Sequence, residues 1–491
     1  MSNIRLGLRL LETLTSALYE DPIVLFREYI QNSVDAYTAA IRDNHENRMS
    51  DFHVDIEIDS NEKNIVFLDN GYGIPTDEFI TKMKSIGDSQ KGAYNDQIGF
   101  RGIGRLSAMP FCDYLEFQNK AKNSSEIQVF RWDGKKYSKL LAQEKDNELS
   151  SAIDEISVFE NINYTGNKED HFFRVTVTNF HQEIDELLAT PDFRQRLCLM
   201  LPLRYDPTFT AQETIKKEYE RLMNKSLDSF AYDIRLNRKT LYKPYNDQHI
   251  LESGIIFWPL QFKAKTENVP PEKIGLLWFT FNRKVTANPT SEPRGIMVRS
   301  KNMLVGTNDS LANAVSVNSS DYVGTYRELT QTLSGVYGEM LLYTSSLEDN
   351  ARRDWFKISS ASIELRGIIA EFLRRLISYR YSASKAFNDK SSVKKKQNLI
   401  TAYSELTQGI NQEQFLSDFY VQIQDQAIDK SKETVFEYAD EDLPRASLTI
   451  KKFYDRTINA LREYYLEDDD LQNFFKVRAF LKKRLSEENK K

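Results

Sequence analysis

A chain of 491 residues is long enough for about three domains of ordinary size. Its 40% hydrophobic and 12% aromatic content supports packed cores and excludes a disordered polymer. The 66 basic and 72 acidic residues leave a net charge of −6, the wrong sign for a protein whose main task is to coat DNA or RNA.

The N-terminus, MSNIRLGLRLLETL, interleaves charges with apolar residues and has no small-residue cleavage site, so it does not read as a signal peptide. The next stretch, SALYEDPIVLFREYIQNSVDAYTAA, predicts a helix on which Glu28, Asn32 and Asp35 interrupt an apolar stripe. Residues three and four apart share a helix face, so all three point into one site. A carboxylate and a carboxamide one turn apart suit a metal ion and a polarised water. Strands follow in HVDIEI and NIVFLD, and the second runs into the turn DNGYGIP, with Asp69, Gly71 and Gly73. The segment KMKSIGDSQKGAYNDQ, rich in small polar residues and glycine, reads as a hinged loop. A second glycine-rich turn, QIGFRGIGRLSA, carries Gly99, Gly102, Ile103 and Gly104. Glycines let backbone N–H groups approach a phosphate or a base, and the last of them are expected to open a helix facing an anion. Strands YLEFQN, EIQVFRW and HFFRVTVTNF complete a mixed sheet with helices on one face, an α+β sandwich.

The order and spacing of the helix and the two glycine turns resemble the GHKL ATPases, whose Bergerat fold is shared by HtpG-type heat-shock chaperones, MutL-type repair proteins, type II topoisomerases and MORC proteins. FREYIQNSVDA is similar to the chaperone segment in which a Glu precedes an Asn by four residues and an Asp by seven. The resemblance implies Glu28 as general base, the Asn32 side-chain oxygen as a Mg²⁺ ligand and Asp35 as support. It implies Asp69 as acceptor of the adenine amine, with Gly71 and Gly73 passing beside the base. It also implies a lid containing an S-x-K element, Ser89 and Lys91, and a phosphate-covering loop over Gly99, Gly102, Ile103 and Gly104. The cofactors implied are ATP and Mg²⁺. One family feature is missing: HFFRVTVTNF has no Gly-Thr to contact adenine, and Thr176 or Thr178 is the nearest substitute.

From DELLATPDFRQRLCLMLPLRYDPTF the chain leaves the first domain. Strands return in GIIFWPLQF, KIGLLWFTFN and GIMVRSKNMLVG, with TENVPPEK as a hairpin connection between the first two, and DYVGTYRELTQTL reads as a helix. SGVYGEMLLYTSSLEDNARRDWF then resembles the chaperone middle-domain segment whose N-x-x-R loop sends an Arg to the γ-phosphate. The pattern gives Asn350 and Arg353, with Arg352 as competitor. A guanidinium suits that task because it is always charged and offers several donors. After Trp355 the apolar spacing becomes helical, and no proline occurs between Pro293 and Pro444. The expected organisation is an ATP-binding domain over 1–195, a transducer-like α/β domain over 196–357 and a helical C-terminal domain over 358–491.

Cys112 and Cys198 sit in apolar contexts and read as reduced core residues, and five scattered histidines show no metal-ligand spacing. No apolar run reaches the roughly eighteen residues of a membrane span, and the protein is expected to be cytoplasmic. The resemblance implies a slow ATPase that clamps a client or dedicated partner protein as a homodimer. An ATP-gated subunit controlling a separate effector enzyme, in stress or phage defence, is the second reading. A MutL- or MORC-like DNA clamp is the third, weakened by the acidic balance and by the N-x-x-R loop.

Overall fold

The computed structural model describes residues 21–43, 49–85, 104–142, 149–249, 255–264, 270–281, 293–316, 323–350 and 352–387, with Asn398, Thr401 and Val477. The expected lid residues Ser89 and Lys91, the turn residues Gly99, Gly102 and Ile103, and nearly all of the expected C-terminal domain beyond 387 lie outside the described residues.

The long helix α1 (Ile23–Asp43) starts where the sequence makes starting easy. Asp21 accepts the Ile23 N–H at 3.0 Å, and Pro22 occupies the first turn, where no N–H is needed. Its apolar stripe, Phe26, Tyr29, Ile30 and Val34 among it, is buried. The rings of Phe26 and Tyr29 lie 5.4 and 5.0 Å from Phe67 on the sheet below.

Among the described residues that sheet has eight strands: β1 (His53–Asp59), β2 (Asn64–Asp69), β3 (Cys112–Lys120), β4 (Glu126–Asp133), β5 (Ser157–Asn163), β6 (Phe172–Phe180), β7 (Asp233–Leu236) and β8 (Lys239–Thr240). Their spatial order is β5-β4-β3-β6-β2-β1-β7-β8. All pairings are antiparallel except β1 with β7, which run parallel with His53 opposite Asp233. Alternation along β2 buries Ile65, Phe67 and Asp69 toward α1. This is the α+β architecture expected, and it is consistent with a Bergerat sandwich. The sheet also draws β7 and β8 from chain beyond residue 195, because the segment after the helix Phe193–Met200 returns to pair with β1.

A second sheet contains β9 (Ile256–Gln261), β10 (Lys273–Phe281), β11 (Gly295–Ser300), β12 (Met303–Leu304) and β13 (Val336–Leu342), in the order β12-β11-β13-β10-β9. The expected hairpin is present as the antiparallel β9–β10 pair, and β11 runs parallel to β13. Both faces of β13 are buried. Met340 and Leu342 pack with the helices Ser310–Ser316, Tyr326–Leu333 and Ser360–Phe387, while Leu341 packs with the helix Gln212–Met223 and Trp278. The helix Tyr326–Leu333 begins on a capping box between Thr325 and Glu328, so Val323 and Gly324 precede it rather than joining it.

The sheets are joined by a buried ionic cluster. Arg299 and Glu339 are fully buried and paired, and Lys243 reaches Glu339 at 3.0 Å. The hydroxyl of Tyr205 and the indole N–H of Trp278, the latter at 3.3 Å, complete the shell of that carboxylate. Arg299 also donates to the Leu199 carbonyl at 2.9 Å, so it holds the end of the helix Phe193–Met200 against the second sheet. Cys112 and Cys198 form no disulfide and are buried, as expected.

Candidate active site

Glu28, Gln31, Asn32 and Asp35 follow the i, i+3, i+4, i+7 spacing and share one face of α1. Glu28 and Asp35 are buried, whereas Asn32 is half-buried and so reaches solvent from the same face. One oxygen of Glu28, Oε1, accepts from the Arg27 guanidinium at 3.3 Å. The other, Oε2, lies against Gly104. A β-carbon on Gly104 would stand 2.1 Å from it, so only glycine lets this turn close on the carboxylate. The neighbouring Tyr29 fixes the turn: its hydroxyl donates to the Arg105 carbonyl and accepts from the Ala108 N–H, both at 3.2 Å.

The expected helix at this turn is corrected. Among the described residues the chain makes a three-residue 3₁₀ turn, Gly104–Leu106, followed by a second, Met109–Phe111. Pro110 in the second turn and the arrival of β3 at Cys112 leave no length for a full helix here. What Gly104 contributes is close approach to Glu28.

The turn after β2 forms the other wall. Asp69 is buried at the strand end, where its Oδ1 accepts the Gly71 N–H at 3.0 Å and its carboxylate bonds the Ser33 side chain on α1. Burial pushes its carboxyl up to about 6, against the opposing pull of Ser33, Gly71, His171 and His53. Gly73 sits at φ +71°, and a β-carbon there would meet the Lys120 carbonyl at 2.8 Å. Asn119 locks this turn to β3, accepting from the Ile74 N–H and donating to the Ile74 carbonyl, each at 2.8 Å. His171, just ahead of β6, contacts the Asn70 and Gly71 carbonyls at 3.1 and 3.0 Å through Nδ1. Carbonyls only accept, so that nitrogen carries the proton.

Thr176 and Thr178 do not replace the missing Gly-Thr. In the β2–β6 register Asp69 faces Phe173, whereas Thr176 faces Val66 and Thr178 faces Asn64. Alternation puts both threonines on the sheet face away from Asp69. His171 and Phe173 are the residues that β6 brings to the Asp69 turn; sequence reading missed both because neither resembles the family's usual threonine.

The second sheet delivers Arg353. The loop after β13 closes on itself, with the Asn350 N–H bonding the Trp355 carbonyl at 2.8 Å and the Arg353 N–H bonding the Asn350 carbonyl at 3.3 Å. Arg353 is buried and donates through Nη1 to Oε1 of Gln31, on the functional face of α1. Arg352 is exposed, whereas Arg353 is the one that reaches α1. Gln31 was legible as a member of the face at i+3 from Glu28, but its partner was not.

Among the described residues no cluster of three or more His, Cys, Asp or Glu could hold a metal on its own. Mg²⁺ brought in with a polyphosphate needs no dedicated protein cage, and the half-buried Asn32 is the carboxamide that this face of α1 offers it. No helix among the described residues is long and apolar enough to cross a membrane.

Comparison with known proteins agrees with this geometry. Residues 23–163, which contain α1, both walls and β1 to β5, match the family described as histidine kinase-, DNA gyrase B- and HSP90-like ATPase. The chain is 26% identical over 141 residues to the chaperone protein HtpG of Clostridium acetobutylicum, covering 26% of this chain and 22% of that protein. It is 24% identical over 143 residues to HtpG of Mycolicibacterium vanbaalenii, with the same two coverages. The chain therefore spans about a fifth of the length of these curated relatives.

Proposed function

We propose, from a GHKL-type ATPase domain at residues 23–163, that this protein hydrolyses ATP and uses the cycle to drive a lid and domain closure that clamps a client or partner protein in the cytoplasm. The observation that carries the reading is that Gly104 packs on Glu28 while Arg353, from the loop after β13, bonds Gln31 on the same helix.

Each side chain has a distinct task. Asp69 accepts the exocyclic amine of adenine, and Gly71 and Gly73 let the backbone run beside the base. Glu28 is oriented by Arg27 at Oε1 and takes a proton at Oε2 from water attacking the γ-phosphate in line. Arg353 supplies a permanent positive charge for the transferring phosphoryl group. Asn32 would hold a Mg²⁺ ion arriving with the triphosphate, and that ion would supply charge neutralisation at the phosphate oxygens. Because the base lies on α1 and the arginine on the loop after β13, hydrolysis requires that loop to be docked on the helix, and docking rather than chemistry limits turnover. ATP drives the cycle by binding the docked state more tightly than the open one.

The test is steady-state ATP hydrolysis by wild type and Glu28→Ala, with light scattering with and without ATP. Slow turnover lost in the variant, with an ATP-dependent change in mass, supports the clamp. Tight binding with no hydrolysis in either protein replaces it with an ATP-gated regulatory subunit that fires only with its effector. Binding to DNA with a steep salt dependence would redirect the search to a nucleic-acid clamp.

A further inference from the structure

Arg353 brings a permanent charge to α1, and its aim depends on another residue. We propose that Gln31 is the positioning residue for Arg353, holding the guanidinium at the ATPase face of α1 without neutralising it. The role of Arg353 in this proposal rests on the function proposed above.

Four observations carry it. Gln31 is 2% exposed and Arg353 8%, so their hydrogen bond forms where an unpaired guanidinium would be costly. An arginine only donates, which fixes the Gln31 amide with its oxygen toward Arg353. The backbone of Arg353 is left-handed, at φ 56°, a conformation that costs a non-glycine residue about 1 kcal/mol or more. It is held there by the Gly306 N–H on the Arg353 carbonyl at 2.7 Å and by its own N–H on Asn350, so the loop is bent to send this side chain inward. Finally, Gln31 is one residue from Asn32 and three from Glu28 on the same helical face, so the bond delivers the charge to the site itself.

The residue type matters. A carboxylate at position 31 would pair with the guanidinium, compete with a phosphate for it and repel Glu28 one turn away. An amide oxygen orients the guanidinium and leaves its charge for the anion. An alanine would leave the buried arginine to turn elsewhere.

The experiment compares wild type with Gln31→Ala, Gln31→Glu, Arg353→Ala and the double variant Gln31→Ala/Arg353→Ala. It reads turnover at saturating ATP, equilibrium ATP affinity and hydrogen exchange of the 349–356 backbone amides. Gln31→Ala is expected to lower turnover about tenfold or more with ATP affinity within about twofold, and to cost nothing further in the Arg353→Ala background. Gln31→Glu is expected to lower turnover while exchange in the loop stays slow, a separation that a contact serving only stability would not produce. Wild-type turnover in Gln31→Ala, beside a loss in Arg353→Ala, overturns the proposal and leaves the proposed function standing. Wild-type turnover in Arg353→Ala overturns the proposal together with the role of that arginine, while an inactive Glu28→Ala would still uphold the ATPase. If wild type itself fails to hydrolyse ATP, the proposed function falls, and the loop decides the positioning: exchange about tenfold faster in Gln31→Ala supports it, and unchanged exchange overturns it.

Discussion

Gly104 and Glu28 are packed so closely that no side chain fits between them: a β-carbon on the glycine would lie 2.1 Å from the carboxylate oxygen Oε2. The Glu28 carboxylate is thus held between Arg27 on one oxygen and a bare backbone on the other. Gly104→Ala is expected to displace the carboxylate, lower ATP turnover by at least about tenfold and destabilise the fold by about 1–3 kcal/mol. Turnover and urea unfolding measured on the same variant check both effects; wild-type turnover would remove Glu28 from this arrangement.

Glu28 and Asp69 lie on different walls, and their substitutions should separate. Glu28→Ala is expected to keep ATP affinity and lose about 10²–10⁴-fold in turnover, the range for a general base. Asp69→Asn is expected to abolish binding, because an amide cannot serve the adenine amine with the same acceptor pair. Calorimetric titration of ATP into both proteins checks the assignment, and a swapped pattern reverses it.

Asp69 also predicts a pH dependence. Its carboxyl is raised by burial from 3.8 to about 6 in the fold, so the folded state holds a proton that the unfolded chain has released between those values. Stability contributed by that proton is fully present below 3.8 and is lost as pH rises through about 6. The ionised carboxylate therefore costs up to about 3 kcal/mol at pH 7 and above. Asp69→Asn should raise the unfolding midpoint at pH 7.5, where ~2–3 kcal/mol separates the proteins, and leave it unchanged near pH 3.5. ATP affinity should run the other way in wild type, weakening as pH falls below about 6 and the acceptor is protonated. Thermal melts and ATP titrations across pH check both slopes.

Glu339 neutralises two buried cations at the joint between the sheets. Glu339→Ala strands Arg299 and Lys243 in the interior and is expected to cost about 3–5 kcal/mol, well beyond an ordinary core substitution. Urea unfolding measures it. A loss under about 1 kcal/mol would mean that the cluster is open to water and is not the joint described here.

The helix carrying Glu28, Asn32 and Asp35 was legible because its period and polarity are local properties, and so were the turn at Asp69 and the strands NIVFLD and HFFRVTVTNF. Other features were not. The sequence placed a helix after Gly104, but the early arrival of β3 leaves room for only a 3₁₀ turn. It offered Thr176 and Thr178 near adenine, yet which face a strand residue takes depends on register with a neighbour distant in the chain. The return of β7 to pair with β1 was hidden for the same reason.

By itself, then, the sequence determined which residues are candidates for the chemistry: a carboxylate and a carboxamide on one helix face, an acid on a glycine turn, and an asparagine-arginine loop far downstream. Tertiary structure alone decided which of them meet. Arg352 and Arg353 are chemically identical in sequence, and only the left-handed backbone of Arg353 and the buried amide of Gln31, 322 positions away, single one out. Residue type and spacing are written along the chain, whereas burial and partners at such distances exist only once both sheets have packed.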